Sequence, residues 1–148
     1  LDDALHATRA ATQEGIIPGG GVIFLQAISE VEKARAKAKG DEKIGFDILV
    51  QALKTPTMQI VENAGEQGDV IVAQLLEKLE KDDTLGYDAS EGKFVDMVKT
   101  GIVDPAKVSR TALEMAASVA GLMLTTNVLI TDLKEDDEEE EPIPGSVR

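Results

Sequence analysis

The chain has 148 residues, 15 basic and 28 acidic side chains, a formal net charge of -13 and no cysteine. This balance argues against a nucleic-acid partner, which needs a basic footprint. The missing thiols exclude disulfides, thiolate metal sites and cysteine nucleophiles. No window approaches twenty uninterrupted apolar residues, so no membrane span is expected.

Residues 2 to 14 (DDALHATRAATQE) predict a helix with acids in its first turn. Ala4, Leu5, Ala7 and Ala11 give it a thin apolar stripe, and Gly15 can stop it. Residues 16 to 21 (IIPGGG) read as a connection. A second helix is expected from Val22 to about Lys39, with Phe24, Ile28 and Val31 on one face. A third should start near Asp41, with Ile44, Ile48, Leu49 and Leu53 inward and a kink or break at Pro56. Gly68 and Asp69 should open a fourth, with Asp69 as a candidate cap and Val72, Leu75, Leu76 and Leu79 buried.

Gly86 to Met97 reads as a small irregular hairpin: 86–89, a turn near Glu91 and Gly92, then 93–97. Asp104-Pro105 predicts the start of the strongest helix, with Asp104 at the N-cap and Pro105 at N1. Val108, Ala112, Met115, Val119 and Leu122 recur at alternating spacings of four and three, and Ala116, Ala117, Ala120 and Gly121 leave little polar face. Such a helix belongs in the centre of a domain. The β-branched stretch 125–133 (TTNVLITDL) predicts one strand, and 134–148 an acidic tail in which Glu135 to Glu141 form an unbroken run. The fold class expected is therefore mainly α, multihelical, with a small β hairpin and a C-terminal β-strand. The start at Leu1, without an initiator methionine or a leader, suggests excision from a longer chain.

Few residues suggest chemistry by themselves. Gly19-Gly20-Gly21 before a helix could be a tight connection, or could bring backbone amides to a phosphate. It lacks the Gly-Lys-Ser/Thr of a phosphate loop. His6 is the single histidine and cannot anchor a metal site or a triad. Asp3 and Asp104 each suit a helix start, and Tyr87 to Ser90 suits an Asx-type turn.

Four stretches taken together resemble group I chaperonins: DDALHATRAATQEGIIPGGG, IVENAGEQGDVI, GYDASEGKFVDMVKTGIVDPAKVSRTALEMAASVAGLMLTT and the closing VLITDL. The resemblance covers residues 1 to about 134 and identifies them with the C-terminal half of the equatorial ATPase domain, leaving 135–148 as a tail. It implies ATP and Mg2+ as cofactors. It implies partner subunits in a ring, usually seven per ring in a double ring, and contact with a co-chaperonin and unfolded proteins through an apical domain that this sequence lacks. It implies that Asp3 helps to activate water for ATP hydrolysis, that Gly20 contacts the nucleotide, that Asp88, Ala89 and Ser90 form the turn beside the base, that Ile102 packs near the base, and that Asp104 reaches the ribose hydroxyls. Asparagine is the usual family residue where Asp88 stands. The family's phosphate loop and its magnesium-coordinating aspartate lie in the N-terminal half, so this segment alone is not expected to hydrolyse ATP. A structural, self-associating helical segment without nucleotide affinity is the alternative. The end EDDEEEEPIPGSVR departs from the glycine-methionine repeats of bacterial and mitochondrial members and leans toward a plastid-type member or a divergent bacterial one.

Overall fold

A computed structural model describes residues 2–128 and 130. The helices are α1 (Asp2–Glu14), α2 (Val22–Arg35), α3 (Glu42–Asn63), α4 (Gly68–Leu79), the single turn α5 (Met97–Thr100) and α6 (Ala106–Thr125). The strands are β1 (Ile16–Pro18), β2 (Leu85–Asp88), β3 (Lys93–Asp96) and β4 (Val103–Pro105). The chain divides into two compact units, residues 1–114 and 115–148, with the boundary inside α6.

The core of the first unit is aliphatic, as the scarcity of aromatic residues requires. Val22, Leu25 and Ile28 of α2 meet Leu53 of α3, Val72 and Leu75 of α4, and Met97 of α5. α2 and α4 contribute residues three apart, the spacing that aligns side chains on one face. The inward face of α2 is one step from the expected one: Phe24 and Val31 pack at the edge of the core. α2 also ends at Arg35 rather than near Lys39, where Arg35 makes two bonds to Asp47 of α3.

α3 runs unbroken through Pro56, so of the expected kink or break the break does not occur. Proline removes one amide and crowds the preceding turn. Leu53, Thr57 and Val61, four apart and all buried, hold the helix on both sides of it. The earlier residues Ile44 and Ile48 are exposed, so the expected inward stripe of α3 covers only its second half. Asp69 is not the cap of α4: Gln67 stands at the N-cap, and Asp69 lies in the first turn, where its carboxylate accepts from the Val70 amide.

The hairpin is present as β2–β3, antiparallel, with Tyr87 opposite Phe94 and their rings packed edge to face. A second two-stranded ribbon was not expected. β1 pairs antiparallel with β4, in register Ile16↔Pro105, Ile17↔Asp104 and Pro18↔Val103. Asp104 is consequently a strand residue and not a helix cap, and α6 begins at Ala106. The Ala106 amide bonds to the Gly15 carbonyl, which extends the ribbon into the helix start.

α6 forms where expected but has no buried residue among those described. Of the strand expected over 125–133, Thr125 closes α6. Residues 126–128 and 130 take no regular structure, and 129 and 131–133 lie outside the described residues, as does the acidic tail.

Candidate functional site

The β1–β4 ribbon determines which distant residues meet. It places the glycine connection 19–21 beside the segment 101–105, although over eighty residues separate them in sequence. The Gly19 amide donates to the Ile102 carbonyl at 2.9 Å, and a β-carbon at Gly19 would stand 3.0 Å from that oxygen. Glycine is required there by close approach. At Gly20 and Gly21 it is favoured by conformation, since φ is +67° and +78°. Gly20 lies on β2 as well: a β-carbon there would meet Met97 Cε at 3.2 Å and the Tyr87 carbonyl oxygen at 3.9 Å. Gly20, Ile102, Asp104 and the base of the 88–90 turn therefore belong to one neighbourhood.

Asp104 is half-buried, opposite Ile17. Among the described residues its carboxylate has neither a hydrogen-bond partner nor a salt-bridge partner, and burial pushes its pKa above the ordinary carboxylate value. A half-buried, unpaired carboxylate costs stability. It is an acceptor ready for hydroxyl or amide donors from a ligand.

Asp88 is in the opposite condition. One oxygen, Oδ1, accepts from the Ser90 amide at 3.0 Å, the Ser90 hydroxyl at 3.1 Å and the Glu91 amide at 3.3 Å. Burial works to raise its pKa, but the Ser90 and Glu91 donors outweigh it, and the net shift is downward. The side chain of Asp88 thus builds an Asx turn, and Ala89 and Ser90 form the tip of the hairpin.

Asp3 occupies the first turn of α1, and the helix carries its backbone roughly 18 Å from Gly15 at 1.5 Å per residue. The other end of α1 is fastened to the start of α6. Arg110 binds both carboxylate oxygens of Glu14, at 3.0 and 2.7 Å, and Lys107 reaches Gln13. His6 is exposed on the same helix.

A profile of the TCP-1/cpn60 chaperonin family matches residues 1–134. The chain belongs to that family. The mitochondrial chaperonin CPN60-1 of Cucurbita maxima is 52% identical over 147 residues, which is 99% of this chain and 25% of that protein. A group III chaperonin in its open state superposes with a TM-score of 0.75 at 36% identity, over 82% of this chain and 25% of its own. An open-state group II chaperonin monomer from Methanococcoides burtonii shares the fold, with a TM-score of 0.76 at 24% identity, over 84% of this chain and 32% of its own. The chain thus spans about a quarter of the length of the curated relative it matches. That relative's name places it in the mitochondrion, which does not favour the plastid or bacterial setting suggested by the tail.

Among the described residues of this chaperonin chain, no group of three or more His, Asp or Glu could hold a metal ion. No described helix is long and apolar enough to cross a membrane. A groove of about 600 Å³ lies between α2, α3 and α4, lined by Leu25, Ile28, Val50 and Leu76 among others, and contains none of the expected site residues. Sequence reasoning missed Thr57. It is 2% exposed, and its hydroxyl donates to the Gly20 carbonyl at 3.0 Å. The only sequence signal was a threonine among apolar neighbours on the inward side of α3, four residues from both Leu53 and Val61.

Proposed function

We propose that this chain forms part of the ATP-binding and ring-forming equatorial domain of a chaperonin that assists protein folding by ATP hydrolysis. In this reading it supplies one wall of the nucleotide site. The observation that carries the proposal is Asp104: a half-buried carboxylate without a partner among the described residues, held by the β1–β4 ribbon beside the Gly19–Gly21 backbone. Asp104 accepts from the ribose hydroxyls, Gly20 brings backbone against the nucleotide, and Ile102 gives the base an apolar neighbour. The Asp88–Ala89–Ser90 turn stands at the base, with contact through backbone and the remaining Asp88 oxygen, because Oδ1 is engaged within the turn. Asp3, a helix length away from the ribose end, orients the attacking water near the terminal phosphate.

Mg2+ would neutralise phosphate charge when bound; no group of three or more His, Asp or Glu among the described residues could hold it, and in this reading the coordinating aspartate comes from the N-terminal half of the domain. Hydrolysis accordingly requires the other half of the domain. Other subunits in a ring, heptameric and doubled, are the proposed partners, with co-chaperonin and unfolded protein engaged by an apical domain elsewhere in the subunit.

Calorimetric titration with Mg-ATP tests the reading, on this chain alone and mixed with an N-terminal equatorial half. Saturable binding only after mixing is expected, and its loss in Asp104→Ala identifies the wall. A folded complex that takes up no nucleotide overturns it. The competing reading, a self-associating helical segment without nucleotide affinity, draws on the exposed apolar side chains of α6. It predicts concentration-dependent mass in light scattering and no heat of nucleotide binding.

A further inference from the structure

We infer that Thr57 is a positioning residue for the nucleotide-facing glycine connection, an inference that rests on the reading above. Thr57 is the one buried polar side chain among the described residues, 2% exposed, and its hydroxyl needs a partner. It finds one in the Gly20 carbonyl, 37 residues away in sequence, at 3.0 Å. This bond fixes the plane of the Gly20–Gly21 peptide. In a trans peptide the carbonyl and the following N–H point in opposite directions. With the Gly20 oxygen drawn toward α3, the Gly21 N–H must point away from α3. Among the described residues neither the Gly20 nor the Gly21 amide has an acceptor. Both glycines have positive φ, a conformation available to several peptide orientations when nothing selects one.

Two further contacts make the arrangement specific. A β-carbon at Gly21 would lie 2.8 Å from Thr57 Oγ1 and 3.1 Å from its amide nitrogen, so helix and connection touch backbone to backbone. Pro56, immediately before, contributes its own Cβ at 3.3 Å from the same point. The Pro56-Thr57 pair in α3 is thereby the seat of the glycine connection. The unpaired amides it presents are the kind of donor that an anionic or carbonyl-bearing ligand accepts from.

The test uses the whole subunit that carries this sequence, assembled, with Mg-ATP as the probe. Thr57→Val keeps the shape and removes the hydroxyl. It should weaken Mg-ATP binding by about tenfold, the loss expected when one buried hydrogen bond goes unmade. Thr57→Ser should restore binding to within about twofold of the parent. Val72→Ala, a core change on α4, should lower the melting temperature while leaving Mg-ATP affinity unmoved, which separates positioning from general loss of stability. Parental affinity in Thr57→Val, or a Ser variant as weak as Val, overturns the role of Thr57 while leaving the nucleotide reading intact. A parent subunit that binds no Mg-ATP overturns both.

Discussion

α4 and α6 carry apolar patterns of similar strength and meet opposite fates. In α4, Val72 and Leu75 are sealed against α2 and α3, and Leu75 has no exposed surface. In α6, Met115, Val119 and Leu122 repeat at the same spacings yet are 63%, 56% and 68% exposed. Periodicity states that a face is fit to be covered; it does not state by what. The 4-3-4-3 stripe led to the expectation of a central helix, and this chain, about a quarter as long as its relative, leaves that stripe open.

The contrast has direct consequences, beginning with the largest. Leu75→Ala should cost about 2–5 kcal/mol in urea unfolding of this chain, because a filled site becomes a cavity. Leu122→Ala should change stability by less than about 0.5 kcal/mol, as exposed sites do. Equal losses at the two positions would break the comparison.

A smaller effect is expected at Asp104, where function and stability oppose each other. Burial raises its folded pKa above the unfolded value, so the folded chain holds the proton more tightly. Stability therefore falls as pH rises from the ordinary carboxylate value through the raised folded pKa, and is level above it. Asp104→Asn should abolish that slope and raise the melting temperature at pH 7, while weakening nucleotide binding. Thermal melts across an acidic pH series check the first part. A lower melting point in the Asn variant would show that the carboxylate is paired and stabilising.

The smallest effect belongs to the fastening of α1 onto the start of α6. The hydrogen bond from Arg110 is the chief cause of the lowered pKa of Glu14. Its stabilisation is therefore present above the ordinary carboxylate pKa of about 4.3 and is lost as pH falls through the lowered folded value. Both groups are exposed and screened by salt. Arg110→Ala should lower the melting temperature slightly in dilute buffer at pH 7, and the difference should close in 1 M salt, at roughly a 3 Å Debye length. A drop that persists in high salt would point to packing by the arginine stem instead.

The mainly α class, the five long helices, the β2–β3 hairpin and the chaperonin family are legible along the chain, because helix periodicity, glycine stops and the 86–133 block are local signals that need no partner. Tertiary structure decided the rest. The β1–β4 ribbon joins two three-residue strands far apart in the chain, too short for any periodicity to register, and it turned Asp104 from an expected helix cap into a half-buried strand carboxylate. The role of Thr57 was equally hidden, since a single threonine in a helix becomes informative only when the Gly20 carbonyl is found against it. α3 passes through Pro56 because buried neighbours on both sides outweigh one lost backbone bond. Each of these depends on contacts between distant segments, and a pattern read along the chain holds no record of which segments meet.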